Sequence, residues 1–287
     1  MLILRQRLTR EEADTFGLVL LSSGIAHQVL QGRGGWELWV AEDATEQAEA
    51  LLQTYLKENR DTQTLPEPPS TPQPKTWSGV WGAFGLLAWH MILVRRHDVD
   101  GFYRIYGASA SHIVNGEWYR CATALMLHAD SIHLLANLAG LAVFATAVCS
   151  VSGWGMGWLL TLGAGICGNL VNAYAYGYGH RSIGASTAVF GALGLLSAYQ
   201  FLKKVKMPGS RFQIWLPLGA GLALLAFLGA SAHTDIMAHL FGFLSGVFIG
   251  LFYFSVVLSP MAWKWQAGAL MGTVSLMAVA WLGPTLS

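Results

Sequence analysis

Charge is scarce in this sequence. Asp, Glu, Lys and Arg make up 11% of its 287 residues, roughly half the share of an ordinary soluble domain. The formal net charge of +1 lacks the basic excess that a phosphate backbone demands, which argues against nucleic acid as a partner. Cysteine is rare and odd in number. Cys121, Cys149 and Cys167 lie in or beside apolar stretches and imply no disulfide framework; they read as soft, buried thiols. Metal-ligand spacing is also missing. His128 and His133 are five apart, a poor spacing for one helical face, and no carboxylate or cysteine converges on them, so neither a metal nor another cofactor is expected. The opening MLILRQRLTREEAD has too short an apolar run for a signal peptide.

Apolar length is what the chain has in excess, with 54% hydrophobic residues. Stretches of about 20 residues, enough to cross a bilayer, recur at about 77–95, 132–151, 154–176, 184–203, 212–230, 236–257 and 265–283. An α-helical polytopic membrane protein of about seven transmembrane helices is expected, with the lipid bilayer as its first partner. The long connection 96–131 is too apolar for a free loop and too short in apolar run to span. Its Tyr103, Tyr106, Trp118 and Tyr119 suit an inserted segment at the membrane interface.

Residues 1–60 have a soluble composition. A helical pattern over 11–25 carries Phe16, Val19 and Leu20, and strands are expected at His27–Gln31 and Trp36–Val40 around Gly32–Gly35. Thr45–Glu58 reads as an amphipathic helix burying Ala48, Leu51, Leu52 and Tyr55. The order helix–strand–strand–helix makes a small α+β module with no ligand cluster. The proline-rich stretch 61–76 reads as an extended linker. The domains expected are therefore 1–60, a cytosolic module; 61–76, a linker; 77–257, a six-helix core; and 258–287, an additional membrane helix.

Orientation follows from basic residues in short loops. Lys203, Lys204, Lys206 and Arg211 lie between spans four and five, and Lys264 between six and seven. Placing them inside makes the N-terminus cytoplasmic and the C-terminus external. Arg95, Arg96, Arg104 and Arg120 then lie outside, against the rule, within one long interfacial loop.

Two spans carry groups able to react. GHRSIGASTAVFGALG, 179–194, sets Ser186 at the start of the fourth span, and AHLFGFLSG, 238–246, sets His239 near the start of the sixth. Both fall near the outer ends of their helices, at one depth. A hydroxyl and an imidazole so placed make a nucleophile–base pair, although a serine also packs readily at a helix interface. His133 and Asn137, four apart, share a face of the second span. They either donate, with the Ser186 N–H, to the oxyanion of a tetrahedral intermediate, or bond helix to helix. Asp235 either faces His239 from four residues upstream or, like Thr234, caps the sixth span.

GASTAVFGALG, AHLFGFLSG and the preceding EWYRCATALMLHADSIHLLANLAG together resemble the rhomboid intramembrane serine proteases. That pattern has a GxSx serine in the fourth span, HxxGxxxG in the sixth and HxxxN in the second. The resemblance covers about 77–257, and the seventh span resembles the six-plus-one arrangement of some members. It also extends to the small cytosolic domain of some bacterial members, which implies a bacterial inner membrane. It implies an endopeptidase cleaving transmembrane protein substrates near the outer membrane face through an acyl-enzyme. Ser186 would be the nucleophile and His239 its general base. His133, Asn137 and Gly184 would form the oxyanion hole, and Phe190 would pack on the catalytic imidazole. Gly242, Gly246 and Gly250 give the sixth helix a small-residue face for close approach to Gly191 and Gly194 of the fourth. Thr187 stands where the family usually has glycine, adding bulk beside the oxyanion hole, and Arg120 is offset by one from the usual Trp-Arg pair.

Two other functions fit the same residues. A catalytically silent relative would bind membrane helices without cutting them. A transporter would use the same polar groups as a path, but no inverted repeat is detected. For a protease, the 230–236 connection is the natural lid, and Phe212, Trp215 and Leu218 of the fifth span form a candidate movable wall.

Overall fold

The structure is a computed structural model describing residues 1–32, 34–59, 76–96, 98–206, 211–229, 235–257 and 259–286. Most of the proposed linker and the 230–234 part of the proposed lid lie outside these described residues, as do Arg33 and the side chain of Arg211. Two compact units are present, Met1–Ser70 and Thr71–Ser287.

The first unit runs β1 (Leu2–Leu8), α1 (Arg10–Ser22), β2 (His27–Gly32), β3 (Gly35–Val40) and α2 (Thr45–Glu58). A capping box starts α1: Glu12 N–H donates to Thr9 Oγ1 at 3.2 Å, and Thr9 N–H donates to Glu12 Oε2 at 2.8 Å. β2 and β3 form the expected hairpin, with Gly32 opposite Gly35. The order helix–strand–strand–helix needs correction, because β1 adds an antiparallel edge strand and the sheet runs β1-β3-β2. The register of β1 slips between Ile3 and Arg5 and again between Arg5 and Leu8. Those slips erase the two-residue alternation that marks a strand in sequence. Phe16, Leu20, Ile25, Leu38, Val40, Ala48 and Leu52 form the core between sheet and helices.

The second unit begins with α3 (Ser78–Arg95) and a folded connection: α4 (Val99–Tyr106), β4 (Ala108–Ser109), α5 (Ala110–Val114) and α6 (Arg120–Thr123). Then come α7 (Ser131–Gly140), a π turn over Leu141–Ala145, α8 (Thr146–Ser152), α9 (Trp154–Tyr176), β5 (Arg181–Ser182), α10 (Ser186–Val205), α11 (Arg211–Gly229), α12 (Ile236–Val256) and α13 (Trp263–Leu286). α7, the π turn and α8 form one span. Each of the seven expected stretches is therefore helical. Among the described residues, four of them, Ser131–Ser152, Trp154–Tyr176, Ile236–Val256 and Trp263–Pro284, are long and apolar enough to cross a membrane. α10 falls short in apolarity because it carries Lys203 and Lys204 at its end. It runs through the middle of the bundle, with Thr187–Leu195 buried throughout, so neighbouring helices rather than lipid supply its apolar surroundings.

Two polar anchors organise this unit. Gln266 of α13, 3% exposed, accepts from the N–H groups of Gly155 and Met156 at 3.0 and 2.9 Å and donates to Ser152 O at 3.1 Å. It thereby caps α9, whose first amides have no intrahelical acceptor. Arg120, 4% exposed, donates to Glu117 at 2.7 Å and to the carbonyls of Arg104 and Gly107 at 2.7 and 3.2 Å. Burial raises the Glu117 carboxyl, but hydrogen bonds from Arg120 and Tyr119 outweigh it and hold the group below its ordinary value. The offset arginine thus ties the 98–130 connection together from within and is not a loose loop charge.

Candidate active site

Ser186 opens α10 and is half-buried. Just ahead of it Gly184 has φ 123°, a backbone conformation that side-chain-bearing residues rarely adopt. A Cβ there would lie 2.5 Å from His133 Nε2 and 3.5 Å from Asn137 Nδ2. The two polar side chains of α7 therefore converge on the backbone that leads into Ser186. Asn137 is 3% exposed, and its Nδ2 donates to no group among the described residues. A buried donor of this kind is costly unless something fills it. The first turn of α10 adds backbone N–H groups that no intrahelical carbonyl satisfies.

His239 lies in the first turn of α12, where its N–H donates to Asp235 O at 3.1 Å. The residue is 4% exposed, and its ring centroid is 4.5 Å from that of Phe190. α10 and α12 meet backbone to backbone. An added Cβ would come within 2.3 Å of Thr187 O at Gly242, 2.0 Å of Gly191 O at Gly246, and 2.1 Å of Phe243 O at Gly194. This crossing begins one residue after Ser186 and three after His239, so both candidates sit on leading turns of helices that touch there. Gly250 continues the seam against Ala198 and Leu195. The methyl of Thr187 fits where glycines leave room: a Cβ at Gly168 or Gly242 would approach it to 2.7 or 3.0 Å. Helices α9 and α12 thus accommodate the branched side chain.

Three contributors escaped the sequence reading. His128 is buried, and its Nε2 accepts from Ala185 N–H at 3.3 Å, which requires the unprotonated nitrogen. Burial, helped by His133 and His90, pushes this imidazole down to about 3. The Tyr103 hydroxyl donates to the His128 carbonyl. His180 and Asn172 are the other two, and both meet Asp235. Asp235 does cap α12, accepting from Ala238 N–H at 3.0 Å. Its other oxygen faces His180 Nε2 at 2.6 Å and accepts from Asn172 Nδ2 at 3.0 Å. Its carboxylate thus pairs with His180 as well as capping the helix. The signal for each contact lies 55 to 63 residues away along the chain, beyond any local spacing rule. Among the described residues no group of three or more His, Cys, Asp or Glu side chains is disposed to hold a metal ion.

Residues 115–256 match the family model described as the Rhomboid domain. The chain belongs to the rhomboid family. This rhomboid is 29% identical over 167 residues to the putative rhomboid protease YdcA of Bacillus subtilis, covering 58% of this chain and 79% of the relative. It is 32% identical over 148 residues to the rhomboid protease GluP of the same organism, covering 50% and 28% of the two chains. It is also 29% identical over 171 residues to inactive rhomboid protein 2 of Homo sapiens, covering 59% and 19%. The match thus spans most of YdcA but less than a third of GluP or the human protein. Protease-named and inactive-named relatives both resemble this rhomboid.

Proposed function

We propose that this rhomboid is an intramembrane serine endopeptidase that cleaves transmembrane segments of other membrane proteins. The observation that carries the reading is the backbone seam between α10 and α12. It begins beside Ser186 and His239, where His133 and Asn137 also converge through Gly184. Ser186 Oγ attacks the scissile carbonyl while His239 takes its proton and then delivers it to the leaving amine. The acyl-enzyme is hydrolysed by water activated by the same imidazole. His133, Asn137 and the backbone N–H of Ser186 stabilise the oxyanion. Phe190 holds the imidazole face, and Gly184 keeps the approach to the nucleophile open.

The site lies at the outer side of a bacterial inner membrane, with the N-terminal module in the cytoplasm. Lys203, Lys204 and Lys206 at the opposite end of α10 support that orientation. The test is cleavage of a model transmembrane substrate in proteoliposomes by wild type, Ser186→Ala and His239→Ala. Cleavage by wild type and background rates for both variants are expected. A second reading, a silent relative that binds membrane helices, is favoured by the likeness to inactive rhomboid protein 2. It would be upheld if Ser186→Ala kept the full biological effect.

A further inference from the structure

The leading ends of α10 and α12 differ from the rest of the bundle in how they are held. Below them the seam of glycines packs backbone on backbone. Above it, Ser186 is reached through residues 177–185, in which Gly177, Gly179 and Gly184 all have positive φ. Pairing of β5 with β4 and the bond from Gly184 N–H to Ala124 O at 2.9 Å hold this backbone to the preceding connection rather than to α12. Something must fix it against α12 if a hydroxyl and an imidazole are to keep reacting geometry.

We infer that His180 and Asp235 form a tie that positions the nucleophile loop against the histidine-bearing helix, making both positioning residues for the reaction. Three elements meet in it. Asp235 Oδ1 caps α12 through Ala238 N–H at 3.0 Å, one turn from His239. Asp235 Oδ2 faces His180 Nε2, from the loop, at 2.6 Å and accepts Asn172 Nδ2, from α9, at 3.0 Å. The His180 ring is held in turn by Tyr176, with centroids 4.0 Å apart and planes within 10°. The backbone of the same residue is pinned as well, since its carbonyl accepts Ala110 N–H at 2.9 Å. His180 and Asp235 are only 21% and 15% exposed at the side chain, so water competes weakly for the pair. The capping oxygen and the tie oxygen belong to one carboxylate, so any shift of the loop is transmitted to the first turn of α12.

The inference rests on the Ser186–His239 reading, and its test separates the two. Wild type, Asp235→Asn, His180→Ala and the double variant are compared in detergent. The readouts are the saturable labelling of Ser186 by a fluorophosphonate, hydrogen exchange of peptides spanning 178–187, and melting temperature. Asn still caps a helix, so Asp235→Asn removes the charge and leaves the cap. Each single variant is expected to lower the maximal labelling rate about 10- to 100-fold, the scale of a small misplacement of reacting groups. The half-saturating probe concentration should stay the same, and exchange at 178–187 should rise. The double variant is expected to be no worse than the worse single one. Single-variant rates equal to wild type with unchanged exchange would overturn the tie, as would losses that multiply in the double variant. A fall in melting temperature with unchanged labelling per folded molecule would reduce the pair to a structural bond and overturn it too. If wild type fails to label, the protease reading fails, and the exchange data alone decide whether the tie holds the loop.

Discussion

Asn137 carries the sharpest expectation at the scale of single residues. Its buried Nδ2 has no partner among the described residues, and in the proposed reaction it meets charge only as the oxyanion forms. Asn137→Ala should therefore lower kcat roughly 10²–10³-fold with little change in KM, measured on a model transmembrane substrate. His128 gives a pH dependence. Its folded value of about 3 lies below the ordinary 6.5, so below pH 6.5 the unfolded chain binds the extra proton and stability falls. The loss should accumulate from about pH 6.5 toward pH 3 at up to about 1.4 kcal/mol per unit. His128→Gln should flatten that part of the profile in a thermal unfolding series. The candidate residues Ser186, His239, His133 and Asn137 stand out in sequence because each sits in a short motif within an apolar span. His128 was visible there only as a poor metal-ligand spacing, since its contact with Ala185 is set by the fold of the 98–130 connection.

Helices and strands were easier to read than their joins. The apolar stretches coincide with α3 and with α9 to α13 to within a few residues, because membrane length and glycine punctuation are local properties. The π turn within the second span leaves no such mark, and β1 was missed because its register slips. The helix seam can be tested directly. A side chain at Gly246 must displace the Gly191 carbonyl, 2.0 Å from its first carbon. Gly246→Val should cost at least ~1–3 kcal/mol and abolish cleavage, read by unfolding in mixed micelles and by substrate assay. Gln266→Leu should cost ~1–3 kcal/mol by leaving the Gly155 and Met156 amides buried without an acceptor. Its rate per folded molecule should be unchanged, because α13 starts at the end of the bundle opposite Ser186.

The chain divides into a small unit, Met1–Ser70, and a membrane unit, Thr71–Ser287, and the proposed orientation can be probed from either side of the bilayer. In a variant with its native cysteines replaced, a cysteine at Tyr178, in the exposed loop before Ser186, should react with impermeant maleimide on intact cells. A cysteine at Thr54, on the exposed face of α2, should react only after permeabilisation. In the proposed mechanism an alcohol and an imidazole on touching membrane helices form one reacting unit. Mass spectrometry of the purified protein after fluorophosphonate treatment tests it most directly. An adduct on Ser186 in wild type, absent in folded His239→Ala, is the expected result. An unmodified Ser186 in folded wild-type protein, or an adduct formed equally fast without His239, would contradict it.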